Sequence, residues 1–228
     1  MRSTILALAL VGAGARADWQ PTAELGFVST TGNSEATTLN VKGEVEGTFG
    51  KWTHNASALA VRGEADGEAN AERYQATWSS DYSVSEQRYL NGNARYEQDD
   101  FSAFEHQATA TVGYGWYALN DDRQTLLFEG GPGVRQAERV DGDGDTNAIA
   151  RGLVDYSLQL TETTELFNTF LLETGANNTF MQNDIGIAVR INGAFSLKAA
   201  YQFRRNSTTP ADTENVDTLT TINLVWQP

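Results

Sequence analysis

Charged side chains recur at every second position in several stretches of the sequence. In residues 38–52, Lys42, Glu44 and Glu46 alternate with apolar residues or glycine. A two-residue period is that of a β-strand, so the charges share one face and the apolar residues share the other. If the apolar face meets lipid, the charged face lines an enclosed interior that can hold ions or polar solutes. The side chains expected to line it are Lys42, Glu44, Glu46, Arg73, Asp81, Arg95, Glu97, Glu129, Arg135, Arg151, Asp155, Arg190, Lys198 and Arg204.

Two interpretations of this interior stay open. Charges of both signs can pair with one another and fill a narrow barrel, or they can line a polar conduit and set its ion selectivity. Barrels of about eight strands are filled by side chains, whereas those of about 16 to 18 strands leave an aqueous channel. An intermediate strand number is compatible with either interpretation.

Catalytic chemistry would have to use one of two histidines, His54 and His106. Nucleophilic hydrolysis needs a serine activated by histidine and a polar group that orients the imidazole. The sequence contains no Gly-x-Ser-x-Gly motif, and the two histidines are not at metal-binding spacing. We therefore predict no catalytic residue, no cofactor and no enzyme activity.

An acidic segment carries three carboxylates at alternate positions, Asp141, Asp143 and Asp145. Such an arrangement can gather around Ca²⁺. The segment lacks the glycine after the third aspartate and the distal glutamate of an EF-hand, so it is an incomplete metal site. A solvated acidic loop is the competing interpretation.

The first 17 residues have the composition of a secretory signal peptide. A basic start is followed by an apolar stretch and by Ala15-Arg16-Ala17, a small-x-small cleavage site. We predict that residues 1–17 are the signal peptide and that residues 18–228 form one domain. The sequence has no cysteine, which excludes disulfides and a thiol nucleophile.

The rest of the chain repeats one alternating pattern about twelve times. The repeat at residues 38–52 is long enough to cross a bilayer, which takes about 9 to 11 tilted residues. Because backbone groups in hydrocarbon must all be paired, a sheet that crosses must close on itself. We therefore predict an all-β chain, a single closed antiparallel up-and-down transmembrane β-barrel of about twelve strands, with ten or fourteen as alternatives. A soluble secreted β-sandwich is the competing fold.

Three local features of this barrel are also predicted. Residues 65–72 are expected to form one of the longer external loops. Proline cannot donate to a strand ladder, so Pro132, among glycines at 130, 131 and 133, predicts a bulge or kink. Aromatic residues near strand ends are typical of interfacial girdles. These residues are Trp52, Trp78, Tyr82, Trp116, Tyr201 and Trp226.

The net charge of −14 at pH 7 indicates which partners to expect. An acidic surface repels phosphate backbones, so we expect no nucleic acid. Acidic loops are compatible with divalent cations that bridge to lipopolysaccharide. The alternation of Ile222, Leu224 and Trp226 is similar to the terminal strand that barrel insertion machinery binds. The expected partners are outer-membrane lipid and lipopolysaccharide, that machinery, divalent cations, and small ions or solutes.

Three segments of the sequence resemble a known family. They are GFVSTTGNSE at residues 26–35 with TTLN at 37–40, YEQDDFS at 96–102 and EGGPGVR at 129–135. Together they resemble the YdiY-like outer-membrane family, catalogued as domain of unknown function 481 and described as salt-induced or acid-induced. The resemblance implies an outer-membrane barrel of a Gram-negative bacterium and brings no substrate and no catalytic residues.

The function expected from these features is a small channel or permeability-modulating barrel, which the resemblance links to salt or acid stress. One alternative is a structural or surface-interaction barrel with a plugged lumen and acidic outer loops. A lipid hydrolase built into the barrel wall is the third alternative.

Overall fold

The computed structural model describes residues 18–30, 36–102, 104–139, 142, 144–209 and 214–228. Each strand pairs antiparallel with its neighbours in sequence, and the first pairs with the last, so the sheet closes into a barrel. The predicted barrel of twelve antiparallel strands is confirmed. The strands are β1 (Asp18–Thr30), β2 (Ala36–Phe49), β3 (Trp52–Ala65), β4 (Glu68–Ser85), β5 (Arg88–Asp99), β6 (Phe104–Asn120), β7 (Gln124–Arg139), β8 (Gly144–Gln159), β9 (Thr164–Gly175), β10 (Thr179–Arg190), β11 (Phe195–Asn206) and β12 (Val216–Trp226).

The predicted signal peptide, residues 1–17, lies outside the described residues. Within the ranges that are described, no helix is long and apolar enough to cross a membrane.

Apolar side chains cover the outside of the barrel. Leu25, Phe27 and Val112 are 55%, 59% and 64% exposed, whereas Glu24 and Asn40, at positions of the opposite parity, are each 8% exposed. This distribution is the reverse of that in a soluble sandwich, where the apolar parity is buried. The apolar face therefore forms the outer surface, as the alternation predicts.

The two ends of the barrel differ. The first and last described residues, Asp18 and Pro228, lie at one end, which we call the terminal end; the opposite end, with the connection between β11 and β12, is the loop end. All five tryptophans face outward in the terminal half, and tryptophan favours the boundary between water and hydrocarbon. They are Trp19, Trp52, Trp78, Trp116 and Trp226.

The predicted external loop at residues 65–72 is wrong. Strand β4 begins at Glu68, so only Asp66 and Gly67 connect it to β3. Both residues have positive φ, 51° and 83°, the backbone of a tight two-residue hairpin. The segment is polar, yet most of it is strand: Ala65 pairs with Glu68 and Glu64 pairs with Ala69, directly beside the turn.

The glycine-rich segment of β7 does not form the predicted bulge. Its pairing with β8 is continuous from Gly130 to Gly133. Its pairing with β6 has the same register at Gly130 and at Gly133. Between them the pairing is interrupted at Gly131 and Pro132, and proline has no backbone N–H to donate. A Cβ on Gly131 would overlap the carbonyl oxygen of Val112. The glycines thus let the strands approach closely, and no inserted residue is needed.

Candidate functional site in the barrel interior

Charged groups meet across the interior in the loop half of the barrel. Arg204 on β11 donates one hydrogen bond to Glu97 and another to Asp99 Oδ2, the latter at 3.1 Å. Both acids lie on β5, which is six positions from β11 in the ring of strands and therefore on the opposite wall. The side chains of Arg204 and Glu97 are each 3% exposed. These ion pairs therefore span the barrel and exclude solvent at this level.

A second ion pair and an aromatic ring complete this closure. Arg95 on β5 donates to Glu173 on β9 at 2.6 Å. The Phe180 ring on β10 lies 5.0 Å from the Arg95 guanidinium carbon and 5.2 Å from that of Arg204. Cations near an aromatic ring are attracted to its negative face, more strongly where water is excluded. We call this set the cross-barrel bridge; it consists of Arg95, Glu97, Asp99, Glu173, Phe180 and Arg204.

Two further arginines lie beside the bridge. Arg73 on β4 donates to Gln202 Oε1 at 2.9 Å, and Gln202 donates to Asp184 Oδ1 at 2.6 Å, so an amide joins the two charges. Arg135 on β7 is 2% exposed and donates to the Asn178 carbonyl oxygen at 2.9 Å.

Ion pairs nearer the terminal end run along the wall instead. Arg151 on β8 donates to Glu129 on the adjacent β7 at 2.6 Å, and the Tyr89 hydroxyl donates to the other oxygen of Glu129 at 2.6 Å. Asp155 accepts from the Thr169 hydroxyl at 2.5 Å. Within the described part of the chain, Asp81 Oδ1 is buried without a hydrogen-bond partner.

The middle of the interior holds two more wall pairs. Lys42 and Glu44 on β2 approach to 2.5 Å, and Asn55 donates to Glu44 at 2.8 Å. Lys198 on β11 donates to Glu24 on β1 at 3.1 Å, across β12.

The structure places all fourteen predicted interior residues on inward-facing strand positions. Arg95, Glu97 and Arg204 belong to the bridge, and the other members of the set lie on the surrounding wall. Glu46 and Arg190 differ from the rest because they lie near the terminal end and are exposed to solvent. This result concerns the positions of the fourteen residues in the fold.

Several interior residues escaped the sequence analysis. Asp99 follows Glu97 by two residues, so the same alternation could have identified it. Glu173 lies in a strand whose alternation is interrupted by outward Asn168, and Phe180 is an apolar residue on the inward face, 1% exposed. For these two the sequence carries no clear signal.

The candidate metal ligands are described only in part. Asp141 and Asp143 fall outside the described residues, and Asp145 accepts hydrogen bonds at 2.6 Å from Asn147 and from Asn177. Among the residues that are described, no group of three potential metal ligands comes together.

Both histidines face outward. His54 stacks between Trp52 and Trp78, with ring centroids 6.0 Å and 6.1 Å away, and His106 Nδ1 lies 3.2 Å from the Tyr96 hydroxyl. Neither imidazole faces the charged interior.

Cavities lie in series along the barrel axis. A cavity of about 330 Å³ lies on the loop side, beside Asp99 and Arg204. Two neighbouring cavities of about 350 Å³ and 460 Å³ lie in the middle, and they share six lining residues. We call this pair of cavities the central chamber. The shared residues are Lys42, Ser57, Gln75, Thr77, Thr169 and Gln182.

Comparisons with known proteins agree with this architecture. A family model described as "Protein of unknown function, DUF481" matches residues 23–227. The protein "Uncharacterized protein YdiY" of Escherichia coli (strain K12) is 28% identical over 218 residues, which cover 93% of this chain and 84% of that protein.

Solved structures show the same fold at low sequence identity. The NanC porin matches with a TM-score of 0.52 at 10% identity, covering 91% of this chain and 97% of that one. The translocator domain of the autotransporter NalP from Neisseria meningitidis matches with a TM-score of 0.47 at 14% identity, covering 92% and 86% of the two chains. The match to the NanC porin therefore assigns the fold to the outer-membrane β-barrels.

Proposed function

This chain belongs to the DUF481 family, and from that premise we propose that it is an outer-membrane channel for small solutes, closed by the cross-barrel bridge. The terminal end faces the periplasm and the loop end faces outward. The observation that carries the proposal is that polar cavities lie on both sides of a closure made only of side chains.

Such a closure can open without disturbing the barrel wall. The strand ladders stay intact when Arg204 leaves Glu97 and Asp99, because these contacts involve side chains alone. Buried ions lose much of their hydration, and this cost offsets a large part of their attraction. Water that enters an open interior would rehydrate the separated charges, so the closed and open arrangements can be close in free energy.

The test is single-channel recording on a variant that lacks both Glu97 and Arg204, which form one ion pair of the bridge. We expect the double substitution Glu97→Ala with Arg204→Ala to raise unitary conductance several-fold over the parent protein. Removing both residues leaves neither Glu97 nor Arg204 buried without the other, and Asp99 keeps its hydrogen bond from the Phe101 backbone N–H.

An exposed ion pair on the outer face provides the matched control. Arg62 and Glu64 on β3 lie 3.3 Å apart with side chains 63% and 51% exposed. The variant Arg62→Ala with Glu64→Ala should conduct like the parent. A bridge variant that folds, as judged by heat-modifiable gel mobility, yet conducts no better than this control contradicts the proposal.

The proposed link to salt or acid stress follows from the same bridge. Acid that protonates Glu97 and Asp99 removes the charges that hold Arg204, so the parent protein should conduct better in acid than at neutral pH. The double variant should already be open and lack this response.

A second candidate function is a closed structural barrel whose acidic loops bind divalent cations or lipopolysaccharide. The burial of Arg204, 3% exposed and in contact with two carboxylates, favours it, because a permanent plug needs paired charges. If neither the parent nor the folded double variant conducts in single-channel recordings, the result would support this function over the channel.

A further inference from the structure

The central chamber is electrically balanced. Five cationic and five anionic side chains line it. Three of the cations pair directly with lining acids, as the contacts of Lys42 with Glu44, Lys198 with Glu24 and Arg95 with Glu173 demonstrate. The chamber therefore presents many charges but no net charge.

The remaining lining charges are held by neighbouring groups. Gln202 joins Arg73 to Asp184, Glu129 binds Arg151, and the Thr169 hydroxyl binds Asp155. Among the described residues, Arg73 Nε and Arg95 Nε also lack hydrogen-bond partners, but each guanidinium is already held through another nitrogen. An ionic solute therefore gains an unshared counter-charge only by displacing one of these contacts. It would also lose hydration on entry, and buried charges recover that cost only with excellent geometry.

Neutral polar groups, by contrast, face the chamber with free hydrogen-bonding capacity. Thr109 and Thr111 on β6 are each 6% exposed, and across the ladder on β5 Asn93 lies directly opposite Thr111. In the portion of the chain that is described, Thr109 Oγ1, Thr111 Oγ1 and Asn93 Nδ2 are buried without hydrogen-bond partners. Such groups are costly to leave unsatisfied, and these three line the chamber.

We propose that the central chamber is a binding site for an uncharged solute that carries several hydroxyl groups, of the size of a hexose. A hydroxyl both donates and accepts, so it can satisfy a threonine hydroxyl and an asparagine N–H alike. Small-molecule sites commonly occupy about 300–1,000 Å³, a range that contains both cavities of the chamber, at about 350 Å³ and 460 Å³. This inference deepens the proposed channel function, since the bound solute is the one that would pass.

The test compares three sugars that share one ring and differ in charge: glucose, glucosamine and glucuronate. Equilibrium dialysis against detergent-folded protein measures their binding, with the parent and the bridge double variant run side by side so that access to the chamber does not limit the result. We expect saturable glucose binding, with affinity about tenfold above that for either charged sugar, the equivalent of about 1.4 kcal/mol.

A near-isosteric variant tests the polar wall itself. Thr109→Val with Thr111→Val removes two hydroxyls at nearly constant volume and should weaken glucose binding about tenfold, since the solute loses two hydrogen-bond partners. Thr220 on β12 is exposed on the outer face, so Thr220→Val is the matched control and should bind glucose like the parent.

Three results would overturn the inference: no saturable glucose binding in either background, a charged sugar that binds as well as glucose, or unchanged glucose binding in the folded double threonine variant. Failure of the channel proposal gives a different result: the folded bridge variant then shows no increase in conductance in bilayer recordings. A conducting barrel without glucose preference would leave the channel function standing and remove this site.

Discussion

The loop half and the terminal half of the interior use the same residue types in different ways. In the loop half, Arg204 joins strands on opposite walls through Glu97 and Asp99. In the terminal half, Arg151 and Glu129 join adjacent strands, and Tyr89 reaches Glu129 from β5 across one intervening strand. Contacts across the barrel close it, whereas contacts along the wall leave it open. Charge content alone therefore says little about whether a barrel interior is blocked.

The largest expected effect comes from breaking the loop-half pair on one side only. Glu97→Ala leaves the Arg204 guanidinium, 3% exposed, with Asp99 alone. Removing one partner of a buried ion pair typically costs about 3–5 kcal/mol of stability. Denaturant unfolding in detergent should show a loss of this size.

The triple variant Glu97→Ala, Asp99→Ala and Arg204→Ala serves as the control, and it should be more stable than Glu97→Ala alone because it removes all three charges of this contact together. If the single variant lost less than about 1 kcal/mol, as is typical of exposed pairs, the bridge would be no more important than a surface contact.

A smaller effect is expected from the terminal half. Tyr89→Phe removes the hydrogen bond to Glu129 but leaves the ion pair with Arg151. Hydrogen bonds to charged groups contribute about 1.5–3 kcal/mol, and the expected loss lies at the low end because Glu129 keeps a cationic partner.

The same unfolding measurement applies to Tyr89→Phe, and its unitary conductance should match that of the parent. An increase in conductance like that of the bridge variant would erase the distinction between the two halves.

The smallest effect is expected outside the interior, at the turn between β6 and β7. The backbone N–H groups of Arg123 and Gln124 donate to Asp121 and hold the pKa of its carboxyl below the usual range. A lowered pKa in the folded state adds stability that is present above the unfolded pKa and is lost as pH falls through the folded pKa.

Asp121→Asn should therefore be slightly less stable than the parent at neutral pH and equal to it in strong acid. Unfolding midpoints across this pH range measure the difference. A gap that persists in strong acid would mean that Asp121 stabilises the turn by something other than its charge.

The alternation of residue types sufficed to predict the barrel, its strand number and the inward position of residues such as Lys42 and Arg204, because a strand with lipid on one side has only one face for charge. The same pattern could not predict that Arg204 meets Glu97. That contact joins opposite walls, and it depends on strand stagger around the whole ring rather than on local spacing.

Local backbone features were predicted less well than the barrel. The turn at Asp66 and Gly67 is shorter than the polar composition of residues 65–72 indicated. At Pro132 the sequence showed that a backbone donor is missing. Whether the strand then forms a bulge or packs closely against its neighbour depends on residues such as Val112 on another strand. In both places the outcome depends on a partner strand that the local sequence does not contain.

The uneven placement of the five tryptophans has a practical consequence. Because all of them face outward in the terminal half, ultraviolet emission from this protein reports on that half of the bilayer. Quenchers attached at known depths along lipid chains can therefore locate the terminal half in the membrane without any label. During assembly, the blue shift of this emission records the insertion of the terminal half, and it does not report on the loop end.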